Sequence, residues 1–255
     1  MQKKAKYIYC IAQTALQRNF GPIGIGGRGD EVITEGCGDL SMVVSNTTET
    51  RYAVSRDNVL AHERVVEEVM KEFTVLPVRF CTIAPSTGKI QNLLETRQRE
   101  FKCLLKDMDY KVELSVKSVW KNMDTVFKEI LKENREIQCL KEKLQNDSGR
   151  KNTEAKIAIG GMVEQALERK KNREAEAVLA VLKKAAVDYR VNRTYGGGMF
   201  LNAAFLVDKG REKEFDNLME DIGKMYEGRV KFLYVGNIPP YNFANITIHP
   251  EEWEV

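Results

Sequence analysis

The chain has 255 residues, of which 43% are hydrophobic and 30% are charged, a composition typical of soluble globular proteins. Its 40 basic and 37 acidic residues are interspersed, and the net charge of +3 is too small to indicate a polyanionic partner such as nucleic acid. No apolar run approaches the roughly 20 residues that span a bilayer, and the five scattered cysteines form no CxxC pair, which favours reduced thiols in a cytoplasmic protein.

The first half of the chain is predicted to combine short strands with helices. Ser55 is the expected N-cap of a helix, and Pro77 indicates an edge strand or the start of a strand. The segment FGPIGIGGRGD, which follows the first strand, is predicted to form a loop. The predicted elements are strands over Lys6–Ala12, Glu31–Thr34, Leu40–Ser45 and Val75–Phe80, and helices over Ser55–Phe73 and Ser86–Lys106.

The second half opens with the clearest strand signal in the chain. Alternation within Tyr110–Trp120 predicts a strand that buries Val112 and Leu114 and places Glu113 and Lys117 on the polar face. After a long helical region, the remaining predicted elements are strands over Val187–Thr194, Met199–Val207 and Arg229–Val235, and a helix over Arg211–Tyr226.

The long helical region carries an apolar stripe that needs a cover. A second helical stretch, Thr153–Ala186, follows the stripe and is weakened at Gly160 and Gly161. Either neighbouring helices or another protein must cover the stripe, so its residues are candidate structural or interaction residues. The stripe consists of Val126, Ile130, Ile137, Leu140 and Leu144.

The order of these elements predicts an α+β fold with two domains. The first, N-terminal α+β domain spans 1–108. The second spans 109–236 and has the order β-α-β-β-α-β, a modified ferredoxin-like fold. An extended helical insertion, about 122–186, occupies its first crossover, where a single helix would suffice. The tail, 237–255, is expected to dock between the domains.

Candidate catalytic motifs are present only in fragments. Gly24 to Gly29 matches GxGxxG, but a predicted strand follows it where dinucleotide binding requires a helix, so we expect a loop. His62 and Glu63 begin an HExxH zinc motif that lacks its second histidine, because position 66 is Val66. Cys81 could act as a nucleophile only if the fold brings His62 within hydrogen-bonding reach. We therefore expect no cofactor and no metal.

A ferredoxin-like sheet also invites comparison with RNA-recognition domains. Those domains stack bases on aromatic residues two positions apart on one sheet face. Phe200 and Phe205 are five positions apart, which places them on opposite faces of a strand, and few basic residues lie nearby. A cytoplasmic ligand- or RNA-binding protein therefore stays an alternative function, with a basic, aromatic sheet face as its required feature.

The most distinctive stretch lies near the end of the chain. Its glycine triplet, Gly196, Gly197 and Gly198, predicts a turn between two strands that needs a positive φ or a close backbone approach. Pro239 and Pro240 restrict the exit from the last strand, after which the chain is expected to be extended. The aromatic residues of this exit and tail either pack internally or form part of a partner surface; they are Tyr241, Phe243 and Trp253.

Several of these motifs, taken together and in order, resemble the GvpF/GvpL family of gas vesicle proteins. The matching segments cover most of the chain: FGPIGIGG, GDLSMVVS, LAHERVVEEVMKEFTVLPVRF, KVELSVKSVW, YGGGMFLNAAFLVDK and VGNIPPYNF. One departure is Cys81, because the family is expected to have glycine after the VRF segment.

The resemblance implies a function that the residues alone do not reveal. It implies a non-enzymatic structural or assembly protein of gas vesicles, located at the vesicle in the cytoplasm. It further implies two α+β domains, the second a modified ferredoxin fold, and contact with the small hydrophobic shell protein during vesicle nucleation or growth. Other minor gas vesicle proteins are further candidate partners, and no nucleic acid or membrane partner is expected.

Overall fold

The computed structural model describes residues 5–146, 152–244 and 246–253, without the side chains at 143–146, 152 and 154. The described residues form seven α-helices and nine strands, and the strands make two sheets. This confirms a mixed α+β fold. Contacts between backbone positions divide the chain into two compact units. Unit 1 comprises Met1–Glu113 and Gly236–Val255, and unit 2 comprises Leu114–Val235.

Unit 1 contains a five-stranded sheet with the strand order β2-β3-β4-β1-β5. Its core is apolar and aromatic, with Tyr7, Tyr9, Val43, Val65 and Val69 fully buried. The short strand β2 lies in the segment where the sequence predicted only a loop. The elements are β1 (Ala5–Ala12), β2 (Asn19–Gly21), β3 (Val32–Cys37), β4 (Leu40–Thr47), α1 (Arg56–Met70), β5 (Val75–Ala84), α2 (Thr87–Thr96) and α3 (Gln98–Met108).

Helix α1 begins where the sequence indicates. The Ser55 side chain accepts a hydrogen bond from the Asn58 N–H at 3.3 Å, which confirms Ser55 as the N-cap. One face of the helix is buried, because apolar side chains recur at the spacing that a 3.6-residue period brings together. The buried residues are His62, Val65, Val66 and Val69.

A large bulge interrupts the pairing of β1 with the edge strand β5. Ile8 pairs with Thr82 and Cys10 pairs with Pro77, so Tyr9 lies opposite residues 78–81. The bulged segment pairs instead with the tail, where the Arg79 N–H donates to the Ile246 carbonyl at 3.1 Å. Bulges of this kind re-aim side chains and commonly lie next to functional sites.

Unit 2 contains a four-stranded sheet with the order β7-β8-β6-β9. Helix α7 packs on it through Phe215, whose ring lies 5.2 Å from that of Phe205. The elements are β6 (Lys111–Trp120), α4 (Met123–Glu133), α5 (Arg135–Asn146), α6 (Asn152–Leu182), β7 (Asp188–Val191), β8 (Met199–Asp208), α7 (Glu212–Met225) and β9 (Val230–Ile238).

The tail packs within unit 1. Its carboxyl-terminal part contains a short 3-10 helix, Pro250–Trp253, and Glu252 forms an ion pair with Arg97 at 3.0 Å.

The predicted position of Glu113 on an exposed polar face is wrong, because its side chain is fully buried. The tail covers it, and the backbone N–H of Asn242 donates to its Oε2 at 2.8 Å. A carboxylate buried in this way is tolerated because it is hydrogen-bonded.

Candidate functional site

The only histidine on the predicted helix face, His62, lies in a buried aromatic cluster of unit 1. Its ring centroid is 5.7 Å from that of Tyr7 and 5.5 Å from that of Tyr9, both on β1. Phe80, in the bulge of β5, lies 5.8 Å away. His62 retains 3% of its exposure. The alternation of β1 and the bulge of β5 therefore bring these rings together against α1.

Hydroxyl and backbone groups connect this cluster to Cys81. The Cys81 N–H donates to the Tyr7 hydroxyl at 3.0 Å, and that hydroxyl lies 2.9 Å from His62 Nδ1. The Cys81 Sγ in turn accepts from the Tyr52 N–H at 3.2 Å. Cys81 and His62 are thus bridged by Tyr7, and the thiol is used as a structural acceptor. The direct Cys81–His62 hydrogen bond that nucleophilic catalysis requires is not formed.

The backbone at Cys81 explains why a glycine is expected there. Cys81 has a φ of 66°, in the left-handed region where a Cβ atom clashes with the following carbonyl oxygen. Glycine adopts this conformation without that penalty. The cysteine therefore leaves a local strain at the end of the β5 bulge.

Burial sets the protonation state of the histidine. Burial lowers the pKa of His62 to about 4, and the Val78 carbonyl opposes this effect only in part. The imidazole is therefore neutral at physiological pH. With Nδ1 engaged by Tyr7 and no group of three or more metal-binding side chains among the described residues, the HExxH fragment has no set of zinc ligands around it.

The glycine-rich loop is likewise not built for a dinucleotide. Gly26, Gly27 and Gly29 have positive φ angles of 88°, 68° and 70°, which explains why the loop needs glycines. The loop leads into strand β3, whereas a dinucleotide fingerprint leads into a helix whose N-terminus binds the pyrophosphate.

The aromatic residues of β8 are not available for stacking on bases. Phe200 is 4% exposed and packs on Trp120, while Phe205 is fully buried beneath α7. Base stacking requires accessible ring faces. Phe200 and Phe205 therefore do not supply the accessible aromatic face that the RNA-binding alternative requires.

The distinctive stretch near the end of the chain has structural roles in the two units. Gly196, Gly197 and Gly198 form the turn between β7 and β8, and Gly196 has a φ of 71°. Gly198 also lies beside the end of β6, where its carbonyl accepts from the Trp120 N–H at 2.9 Å.

The proline exit does not continue as an extended segment, contrary to the sequence prediction. Pro239 and Pro240 are buried, and the Ala244 N–H donates to the Pro240 carbonyl at 2.8 Å, which closes a turn. Tyr241 and Phe243 are half-buried in unit 1. Trp253 is also buried there, at 9% exposure.

The apolar stripe of the helical insertion is divided between two helices. Ile130 on α4 and Ile137 on α5 are buried at 1% and 2% exposure, and Leu140 is half-buried. The Leu144 side chain lies outside the described residues. The break falls at Asn134, whose side-chain amide donates to the Ile130 carbonyl at 2.7 Å. Ile130 and Ile137 therefore pack inside unit 2, and a role of the stripe in partner binding stays a prediction.

A buried charge network, which the sequence did not reveal, holds this insertion to the sheet. Lys170 on α6 is 4% exposed and lies 3.0 Å from Glu129 and 2.6 Å from Glu133, both on α4. Arg229, just before β9, bonds to Glu129 at 2.7 Å and to Glu174 at 2.8 Å. The charged side chains come from α4, from α6 and from the residue before β9. Separating them would leave a buried charge without a partner, so the network fixes the position of the helices.

The network extends to the sheet and shifts the carboxylate pKa values. Trp120 of β6 donates from Nε1 to Glu174 at 2.7 Å. The bond from Lys170 holds the pKa of Glu133 below its usual value. Burial alone would raise the pKa of Glu129, but bonds from Lys170 and Arg229 outweigh it and lower the pKa. The spacing of Lys170 and Glu174 by four residues was the available sequence signal.

The two halves of α6 differ sharply in burial. In the second half, a buried residue recurs at every turn, and the buried residues are Ala166, Lys170, Glu174, Val178, Leu179 and Leu182. In the first half, residues 155–165, no residue is fully buried: one face is half-buried, and the other residues are exposed, although 155–163 reads AKIAIGGMV. The half-buried residues are Ala155, Ile159, Met162 and Val163. Ile157 is 71% exposed, and side chains added at Gly160 and Gly161 would meet open space. This first half, residues 155–165, is called the α6 surface below.

Within the described part of the chain, the helices include none that is both long enough and apolar enough to cross a bilayer. The exposed residues of the α6 surface include Ile157, Ala158, Gly160 and Gly161, together with the charged Lys156 and Glu164.

Comparison with known proteins identifies the family. The family model described as gas vesicle synthesis protein GvpL/GvpF matches residues 5–245. Gas vesicle protein F of Streptomyces sp. (strain CB03234) is 28% identical over 243 residues, covering 93% of this chain and 98% of the relative. Gas vesicle protein F of Dolichospermum flosaquae is 28% identical over 220 residues, covering 85% and 86%.

Solved structures support the same fold. The crystal structure of the gas vesicle protein GvpF from Anabaena sp. PCC7120 matches with a TM-score of 0.82 at 24% identity, covering 96% of this chain and 100% of that chain. The GvpF structure from Microcystis aeruginosa matches with a TM-score of 0.80 at 24% identity and the same coverage. With the family model spanning nearly the whole sequence, the chain belongs to the GvpL/GvpF family of gas vesicle synthesis proteins.

Proposed function

We propose that this protein is a non-enzymatic assembly factor that binds the small hydrophobic shell protein during gas vesicle nucleation or growth. Family membership carries the broader role in gas vesicle formation. The shell-protein contact goes beyond that membership and rests on the α6 surface. On this proposal the protein acts at the gas vesicle in the cytoplasm.

The exposure of the α6 surface is the single observation that carries the contact. Over 155–165 the helix half-buries one face and leaves the other exposed, so it gains less stability from its own chain there than in its second half, and Gly160 and Gly161 each cost helix stability of about 1 kcal/mol. Such a segment is stabilised when a partner covers it. Ile157 supplies the apolar side chain, and the glycines permit a close backbone approach.

The buried charge network supports the same assignment. Lys170 and Glu174 fix the second half of α6 to the sheet of unit 2, while the first half continues beyond the buried stripe. At 1.5 Å per residue, the 31 residues of α6 extend over about 46 Å. A rigidly held helix presents the exposed face of its first half without the entropy loss that a flexible segment suffers on binding.

We further propose that residues 109–236 form a domain with a modified ferredoxin-like fold. The connection β6-(α4-α5-α6)-β7-β8-α7-β9 has the β-α-β-β-α-β order of that fold, and its first crossover is enlarged to three helices. The strand order β7-β8-β6-β9 supports the assignment. The preceding residues, 1–108, then form the N-terminal α+β domain.

The test is co-purification of the tagged protein with the shell protein, together with complementation of a deletion strain. Deleting the gene should abolish or distort vesicles, and a deletion strain with normal vesicles would contradict the broader role. Ile157→Asp should reduce the recovered shell protein at least severalfold, because a charge is placed in the apolar contact.

A matched control separates this effect from a general change in solubility. Val54 is 81% exposed in unit 1, so Val54→Asp introduces the same charge away from the α6 surface. Shell-protein recovery should be unchanged in this variant. Equal recovery with Ile157→Asp and Val54→Asp, with both variants folded, would contradict the proposed contact while leaving the family role intact.

A further inference from the structure

Unit 1 contains a cavity that has no part in the proposed contact with the shell protein. Its volume is about 220 Å³. It lies between α1, the bulge of β5 and the turn after Pro240. We call it the His62 pocket; its walls include Val59, His62, Glu63, Val78, Phe80 and Tyr241.

The walls of the His62 pocket are held in place from both sides. The bulge that supplies Val78 and Phe80 is fixed to the tail by two backbone hydrogen bonds, Arg79 N–H to the Ile246 carbonyl and Ile246 N–H to the Pro77 carbonyl, at 3.1 and 3.2 Å. On the inner side, the Cys81 N–H is held by the Tyr7 hydroxyl. The pocket is therefore preformed, as small-molecule sites usually are.

The hydrogen bonds around Tyr7 define which nitrogen of His62 carries the hydrogen. The Tyr7 hydroxyl accepts from the Cys81 N–H, so its own hydrogen is free to be donated to His62 Nδ1. Nδ1 is then the acceptor of the neutral imidazole, and the hydrogen lies on Nε2. This assignment leaves Nε2–H as a donor that lines the pocket.

Two buried groups of the pocket lack a partner in the part of the chain that the structure describes. They are His62 Nε2 and the hydroxyl of Tyr241. The Val78 carbonyl acts on the pKa of His62 but forms no hydrogen bond of ordinary geometry with Nε2. A buried donor without a partner costs about 1–3 kcal/mol. Both groups can donate, so a ligand that supplies an acceptor oxygen would recover this free energy on binding.

The remaining walls restrict the chemistry of that ligand. Val59, Val78 and Phe80 are apolar, and the carboxylates of Glu63 and Glu67 act on Tyr241 with a negative potential. Arg79 also lines the pocket, but its side chain is exposed to solvent. A buried anion is therefore disfavoured near Tyr241, and a neutral acceptor is favoured.

The volume of the His62 pocket limits the size of the ligand. A cavity of about 150 Å³ accommodates benzene, so about 220 Å³ accommodates a ring with one small polar substituent. We propose that the His62 pocket binds a small neutral molecule with an amide or ketone oxygen on an apolar body. The oxygen accepts a hydrogen bond from His62 Nε2–H, and Tyr241 supplies a second donor.

The test compares three molecules of one shape on the full-length protein by ligand-observed NMR and calorimetry. Benzamide carries the acceptor oxygen, benzamidine replaces it with a cationic donor group, and benzoate carries a charge. Benzamide should bind at least about tenfold more tightly than the other two, the factor that one hydrogen bond supplies. Equal binding of all three, tightest binding of benzoate or of benzamidine, or no binding of benzamide overturns the proposal.

Two variants test whether benzamide binds in the His62 pocket. Tyr241→Phe should weaken benzamide binding severalfold, because it removes one donor and leaves the ring. Tyr52→Phe is the matched control, since it removes a hydroxyl from the same aromatic cluster but outside the pocket walls. Equal loss in both variants contradicts the proposed position.

A measurement on the unmodified protein keeps the proposal testable even if a variant does not fold. Nitrogen-15 NMR of the histidine ring distinguishes the two tautomers directly. We expect the hydrogen on Nε2 of His62 and a change of the Nε2 shift when benzamide is added. A hydrogen on Nδ1, or a shift that benzamide leaves unchanged, overturns the proposal.

Discussion

Cys81 offers a direct measurement of backbone strain in this protein. Its φ of 66° is imposed by the end of the β5 bulge, where its N–H is bonded to the Tyr7 hydroxyl. We consider two variants, Cys81→Gly and Cys81→Ala. Both lose the thiol and its hydrogen bond from Tyr52, so they differ only in the presence of a Cβ atom.

The expected difference follows from two opposing contributions. A residue with a Cβ atom loses about 1–2 kcal/mol in the left-handed region. Glycine loses about 0.4–1 kcal/mol more than alanine through the conformational entropy of the unfolded chain. The strain is the larger contribution, so Cys81→Gly should be more stable than Cys81→Ala by about 1 kcal/mol. For a chain of this size the melting temperatures should differ by about 2–4 °C.

The assay can be restricted to the unit that contains the strain. The chain has two tryptophans, Trp120 in unit 2 and Trp253 in unit 1. In a Trp120→Phe background, the fluorescence of Trp253 reports the unfolding of unit 1 during urea titration. Both substitutions at Cys81 are compared in that background.

Cys103 provides the control with the opposite sign. It is exposed within α3, where the backbone is helical and glycine is less stable than alanine by about 1 kcal/mol. Cys103→Ala should therefore be more stable than Cys103→Gly, the reverse of the order at Cys81. The reasoning is refuted if alanine is at least as stable as glycine at Cys81 while Cys103 shows its helical preference.

Three further changes test other parts of the structure. The pKa of His62 is about 4 in the folded protein and about 6.5 in the unfolded chain. The free energy of unfolding should therefore fall by about 3 kcal/mol as the pH drops from about 6.5 to about 4. Urea titrations of His62→Phe over the same pH range should lack this contribution. Lys170→Met leaves buried carboxylates uncompensated and should destabilise unit 2 by about 3–5 kcal/mol, whereas Arg173→Met, at an exposed pair, should cost less than about 1 kcal/mol in the same titration. Ala at Gly160 or Gly161 meets open space and should raise thermal stability by about 1 kcal/mol each, and no increase would contradict the described helix.

The regular elements could be predicted because their patterns are local. The alternation of β6 and the apolar spacing of α1 specify strand and helix within a few residues of their observed bounds. The three-residue strand β2 was missed because it is too short to show a period. The break at Asn134 was missed because the apolar stripe continues across it. The end of α4 shows in the non-helical backbone of Asn134 and in its side-chain hydrogen bond to the Ile130 carbonyl.

The features that sequence did not predict depend on distant residues. Glu113 fits a polar face by alternation, and only the return of Asn242 makes it a buried carboxylate with partners. Lys170 has the sequence environment of a solvated helical lysine, and its burial follows from Glu129 and Glu133 on another helix. The His62 pocket likewise requires a bulge whose position depends on pairing between β5 and the tail.

The return of the tail to unit 1 affects the order in which this protein can mature on the ribosome. Residues 5–113 are synthesised early, but the partner of the β5 bulge, Ile246, and the partner of Glu113, Asn242, emerge more than a hundred residues later. At a translation rate of about 5–20 residues per second, this delay lasts about 6–34 seconds. During that time the outer edge of β5 is open and Glu113 lacks its cover, so the nascent chain exposes a strand edge that chaperones or early binding partners can reach.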